Sequence, residues 1–167
     1  MTTTNTMETN FRNALKEIRK AGIKTRLNVM QCCRSCVTNE QLGIDNDDVA
    51  VIWTYGGQDN ATSWVDGLPF GRSELNSYKR NGSWRSLERY TSNADNIAWG
   101  DYFNHNGLTD EQKDTVYEIF TRNGLVVDWE KDTRDYKCIV IEYKETYMRE
   151  QNALAAQAIN TDTFAMC

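Results

Sequence analysis

The sequence predicts an α+β fold, a single two-layer domain with a mostly antiparallel sheet and helices packed on one face. Three features carry this expectation. Apolar residues recur at helical spacing near the start (Phe11, Ala14, Leu15, Ile18) and again after Thr109 (Val116, Ile119, Phe120). Strand-like runs stand at 24–30, 48–55, 125–129 and 136–143. The last two are joined only by the polar segment 130–135, too short for a parallel crossover, so they read as an antiparallel pair.

Each element follows from local chemistry. Residues 1–8 form a polar tail without core residues, expected to be disordered. A helix over 9–21 buries its apolar stripe and leaves Arg12, Lys16 and Arg19 on its wet face, and Gly22 is placed to end it. Residues 24–30 alternate as a strand, and Cys36 to Leu42 reads as a short helix ended by Gly43. The run through Val49, Ala50, Val51, Ile52 and Trp53 is continuous enough for a strand buried on both faces, closed by Gly56-Gly57. Residues 57–95, rich in Gly, Ser, Asn and aromatics and holding Pro69, predict an irregular insertion with one or two short strands. Asn96 to Trp99 reads as a short strand stopped by Gly100. Thr109 and Gln112 have the spacing of a capping box, with acidic residues in the first turn where the helix dipole favours them, and Gly124 suits the C-terminus. In the final strand Cys138, Val140 and Glu142 share one face and Ile139, Ile141 and Tyr143 the other. A C-terminal helix is expected over 145–159, so the domain spans 9–160 and residues 161–167 are a tail.

Composition bounds the function. The chain has 167 residues, 40% of them apolar, with five Trp and eight Tyr, which is enough to build one core. No run approaches a membrane span, so no membrane partner is expected, and the first residues lack the charged and apolar regions of a signal peptide. Five cysteines, three of them crowded together, do not resemble a secreted disulfide framework and point to free thiols in a reducing cytoplasm. The net charge of −5 hides an asymmetry. Residues 12–34 are basic, with only Glu17 against seven cations, whereas residues 36–71 carry no Lys or Arg. Oppositely charged faces result if these segments fold apart.

The densest chemistry is Cys32-Cys33-Arg34-Ser35-Cys36. Cys33-x-x-Cys36 is a zinc half-site, because two thiolates on one turn reach a single tetrahedral ion; Cys32 could add a third ligand, and Cys138, Cys167 or His105 a fourth. The same spacing suits thiol–disulfide exchange, with Cys33 as attacker, activated by a helix start and Arg34, and Cys36 as resolver. The third alternative is three inert thiols. No catalytic set is evident. His105, the single histidine, reads as a loop residue before the second helix, and Gly56-Gly57-Gln58-Asp59 reads as a turn, with close approach to a ligand as the alternative. Asp45, Asp47 and Asp48 lack the glycine and glutamate of a calcium loop. Arg72, Tyr78, Lys79, Arg80, Trp84, Arg85 and Arg89 interleave cations with rings, a mixture that neutralises phosphates or forms protein hot spots.

In order along the chain, several pieces together resemble an uncharacterised family of bacterial and phage domains. They are Ala21-Gly22, the Cys32 to Cys36 turn followed by Glu40, an aromatic strand closing on Gln58-Asp59-Asn60, Ile97-Ala98-Trp99-Gly100, and Gly124-Leu125-Val126-Val127-Asp128-Trp129. The resemblance covers about residues 11–144, with 63–93 longer than that family's linker, and implies a compact cytosolic domain without supplying a reaction. The resulting expectation is a small cytoplasmic binding protein and not an enzyme, with no cofactor. Arg12, Lys16, Arg19 and the 70–90 segment would meet a protein partner, or nucleic acid as the alternative. A phage accessory protein that blocks a factor in the host cytoplasm fits this profile. The rival is a zinc- or thiol-dependent protein built on Cys32, Cys33 and Cys36, with Cys138 as a further ligand.

Overall fold

The computed structural model describes residues 7–72, 75 and 96–166, with 160–166 as backbone. Helix α1 (Met7–Lys20) buries Phe11, Ala14, Leu15 and Ile18, the expected stripe, and Gly22 ends it with a φ of +88°. It starts earlier than periodicity suggests because Met7 is fully buried and belongs to the core, not to a tail. Strand β1 (Lys24–Val29) follows, then a single 3₁₀ turn (Arg34–Cys36) and helix α2 (Asn39–Leu42). Thr38 and Gln41 form a capping box that sets the start of α2 at Asn39, three residues later than Cys36. Strand β2 (Val51–Tyr55) is buried throughout, as its apolar run requires.

Strands β3 (Thr62–Val65) and β4 (Leu68–Gly71) form a separate hairpin around Asp66-Gly67. Both turn residues have positive φ, the geometry of the tight turn that suits strand twist. Strand β5 (Gly100–Asn106) overturns the expectation of a strand at 96–99 stopped by Gly100. Gly100 opens the strand, and glycine is needed there because a Cβ would lie 2.2 Å from the Ile141 carbonyl oxygen across the pair. The polar residues Asp101, Asn104, His105 and Asn106, most of them poor strand formers, hid this strand in the sequence. His105 therefore lies on β5 and not in a loop.

Helix α3 (Asp110–Arg122) carries the expected Thr109–Gln112 capping box. Strands β6 (Val127–Asp128) and β7 (Ile139–Glu142) pair antiparallel, and α4 (Tyr143–Met166) runs past the expected helix at both ends, through residues 161–166. The sheet order is β1-β2-β5-β7-β6; only β1 and β2 are parallel, and the fold is α+β as expected.

Alternation divides the sheet. Ile52, Phe103, Ile139 and Ile141 face α1 and α3 in the main core. Val51, Trp53 and Tyr55 face the other way and are covered by Leu42 and Ile44. Not every helix is on one face: α2 roofs the second, smaller core. No described helix is long and apolar enough to cross a membrane.

One polar node stands inside the main core. The Asp101 carboxylate is 6% exposed and accepts hydrogen bonds from Thr62 Oγ1 at 2.9 Å and from the buried Tyr143 hydroxyl. Burial raises the Asp101 pKa despite both donors, and burial likewise pushes the Tyr143 hydroxyl well up. The node joins β3, β5 and the first residue of α4. Tyr143→Phe should cost roughly 1–3 kcal/mol in urea unfolding near neutral pH, because it strips a donor from a buried carboxylate. Losing that donor raises the folded-state Asp101 pKa further, so the deficit should shrink in acid, where the carboxyl is protonated in both states.

Candidate functional site at the cysteine turn

The cysteine turn is placed by an unusual close approach of backbone. The β1 register is irregular between Arg26 and Val29, and Asn28 lies there at a φ of 54°. This conformation is unfavourable for most side chains, but asparagine tolerates it, and here its groups are used. Asn28 N donates to Thr54 Oγ1 at 2.8 Å, and Asn28 Nδ2 donates to the Thr62 carbonyl at 3.2 Å. Gly56 and Gly57 then pass against this segment. A Cβ on Gly56 would lie 2.7 Å from Asn28 O, and one on Gly57 2.4 Å from Gln31 O. The backbone that Gly56-Gly57 admits is the chain's own, so the pair is a structural turn as the simpler reading held. Tyr55 Oη donates to Gln31 O at 2.6 Å, Gln58 Nε2 to Cys32 O at 2.6 Å, and Gln41 Nε2 to Met30 O at 2.9 Å. Residues 30–32 are thus held from β2, from the 56–60 turn and from α2.

On this base the three thiols converge. The sulfurs of Cys32, Cys33 and Cys36 all lie within 4.8 Å of one another; Cys32 and Cys36 are exposed and Cys33 is half-buried. Cys33 and Cys36 Sγ are 3.2 Å apart, and Ser35 Oγ is 3.1 Å from Cys33 Sγ. Hydrogen bonds from Ser35, and then from Cys36, draw the Cys33 pKa down to about 7. Cys36 is pushed up to about 11, chiefly because its proton is shared with Cys33 and because of the neighbouring sulfurs' charge. The sequence predicts activation of Cys33 by a helix start and Arg34, whereas hydrogen bonds from Ser35 and Cys36 are the larger influences here. The turn is one 3₁₀ turn, without the aligned dipoles of a longer helix start, and Ser35 supplies the shift. The guanidinium of Arg34 points elsewhere, 6.0 Å from the centre of the Tyr55 ring and 3.8 Å from Cys138 Sγ.

Among the described residues no fourth ligand joins the three thiols. Cys138 instead meets Arg34 and Asn104, with its sulfur 3.6 Å from Asn104 Oδ1. His105 packs its ring on Trp129 at 5.3 Å and places Nε2 3.0 Å from the Lys137 carbonyl, and burial lowers its pKa. Cys167 lies outside the described residues, as do Tyr78, Lys79, Arg80, Trp84, Arg85 and Arg89. Arg12, Lys16 and Arg19 share the exposed face of α1; Arg12 pairs with Glu8 at 2.8 Å and Arg19 donates to Thr25 Oγ1 at 2.8 Å. Arg72 is 3.5 Å from Asp59, on the wall of a cleft of about 330 Å³ that also takes in Arg34, Tyr55, Trp99 and Tyr102. The structure therefore brings the cysteine turn and Arg72 to neighbouring sites linked by Arg34, and leaves the α1 cations apart from both. Ser35 and Gln58 are the contributors that sequence reasoning missed. The only available signal for Ser35 was its hydroxyl between the two cysteines.

No family model, no curated protein and no solved structure matches this chain.

Alkylation of Cys33 should therefore show a midpoint near pH 7, well below an ordinary free thiol at about 8.5. Ser35→Ala should move that midpoint upward, read by mass mapping of the alkylated peptide across a pH series. An unchanged midpoint in Ser35→Ala would remove the hydroxyl as the cause.

Proposed function

We propose that the chain binds a thiophilic metal ion, zinc in the first instance, through Cys32, Cys33 and Cys36. The observation that carries this is the convergence of three sulfurs within 4.8 Å on an accessible turn. Three thiolates so close would repel one another, and a bound cation would remove that penalty. The ion would supply charge neutralisation and a Lewis-acid position. With no fourth ligand among the described residues, a place would remain for water or an incoming group, the pattern of an open centre and not of a closed structural one. None of the residues in the turn is fully buried, so the ion would be reached from solvent.

Zinc equilibrated with fully reduced protein and then dialysed should remain at one ion per chain by elemental analysis. Cys33→Ser should lose it, while metal-free Cys33→Ser and metal-free wild type should differ in unfolding free energy by no more than about 0.5 kcal/mol, as for other surface substitutions. Protons compete with the metal, so affinity should fall steeply as pH drops through about 7, where Cys33 becomes protonated. Retention of zinc by Cys33→Ser, or none bound by the wild type, would defeat the assignment.

A second reading, recognition of a protein partner, is favoured by the cleft rim. Trp99 is 76% and Tyr102 50% exposed beside Arg72, and these are residue types that dominate hot spots. Under it, Trp99→Ala with Arg72→Ala should abolish complex formation with a purified partner by at least about tenfold, roughly 1.4 kcal/mol, while zinc stoichiometry stays at the wild-type value.

A further inference from the structure

We propose that Cys33 and Cys36 form a reversible disulfide, with Cys33 attacking and Cys36 resolving, and that this disulfide and metal occupancy are mutually exclusive states of the turn. The second half rests on the metal reading above; the first does not.

Distance carries the argument. Two thiolates on one tetrahedral zinc, each about 2.3 Å from the ion, stand about 3.8 Å apart. A disulfide brings them to about 2.05 Å. The Cys33–Cys36 separation of 3.2 Å lies between the two. A modest widening admits the ion and a modest closing makes the bond. The backbone already supports closure, since Cys36 N donates to Cys33 O at 3.1 Å across the 3₁₀ turn. Cys138 does not belong to this sulfur group and meets Arg34 and Asn104 instead.

The oxidant is a low-molecular-weight disulfide, RS–SR. The Cys33 thiolate attacks one of its sulfurs, the RS–SR bond breaks, and RS⁻ leaves and takes up the proton that Cys33 gave to solvent. Cys33 is now capped as a mixed disulfide. Cys36 then loses its proton, attacks the Cys33 sulfur and expels the second RS⁻, which is protonated in turn. Two cysteine thiols are oxidised to one disulfide and RS–SR is reduced to two RSH. Once the bond forms, Cys32 alone remains as a ligand and the ion is released.

The test uses the full chain, fully reduced, with and without zinc, treated with excess oxidised glutathione. A chromogenic zinc indicator reads release, and mass mapping reads the pairing. The expected result is loss of two thiols and one zinc per chain, a Cys33–Cys36 link, and full reversal by dithiothreitol. Cys36→Ser should stop at glutathione on Cys33, and Cys32→Ser should still form the link. A link through Cys32 or Cys138, or no protein disulfide at all, would overturn the first half. Zinc retained after the link forms would overturn the second. If the reduced chain binds no zinc yet forms the Cys33–Cys36 link, the metal reading and the exclusivity fail while the disulfide stands.

Discussion

Everything near the thiols depends on one steric constraint, the contact of Gly56 and Gly57 with the end of β1. No side chain fits there: a Cβ at either position would stand within 2.7 Å of backbone oxygen. The contact lets Gly56 N donate to Val29 O at 2.9 Å and brings Gln58 under Cys32. Cooperation of this kind explains why unfavourable backbone is tolerated at Asn28, Gln58 and Asp59, whose φ values are 54°, 53° and 65°. Such conformations cost about 1–3 kcal/mol each and persist only where surroundings over-determine them. Here the surroundings are hydrogen bonds from Asn28 N to Thr54 Oγ1, from Asn60 N to Gly57 O at 3.1 Å, and from Asn28 Nδ2 to the Thr62 carbonyl.

The same segment connects two regions of different character. Behind it, Tyr55, Trp53 and Val51 bury an apolar face beneath α2. In front of it, the turn carries no fully buried residue. The thiols and the main core, with its internal Asp101–Tyr143–Thr62 node, therefore occupy separate parts of the fold.

Legibility in the sequence followed the strength of local signals. Helices α1 and α3 were readable because apolar spacing and the Thr109–Gln112 box agree, and β2 because five consecutive buried residues leave no alternative. Strand β5 was not, since its outer face carries Asn104 and Asn106 and its inner face holds Asp101 and His105 alongside Phe103. A strand with polar residues on both faces has no apolar alternation to read. The β3–β4 turn had its signal in Asp66-Gly67 between apolar neighbours, within a segment expected to hold only one or two short strands. At the site, spacing alone was enough to gather Cys32, Cys33 and Cys36. It did not reveal that Ser35 and not a helix dipole lowers Cys33, nor that Cys138 answers to Arg34 and Asn104.

Three thiols that no fourth ligand joins among the described residues are a less settled arrangement than four. A closed tetrahedral site neutralises its thiolates and shields them, so both metal exchange and oxidation are slow. The turn described here leaves two of its three sulfurs exposed and gives the third an ionisation near neutrality. Each of these favours reaction with whatever thiophile is present, metal or disulfide. The electrostatics then decide between them: a cation relieves repulsion among all three sulfurs, whereas an S–S bond removes two ionisable groups and leaves one. Under the two proposals, which state prevails would follow from the surroundings' supply of metal and of oxidant.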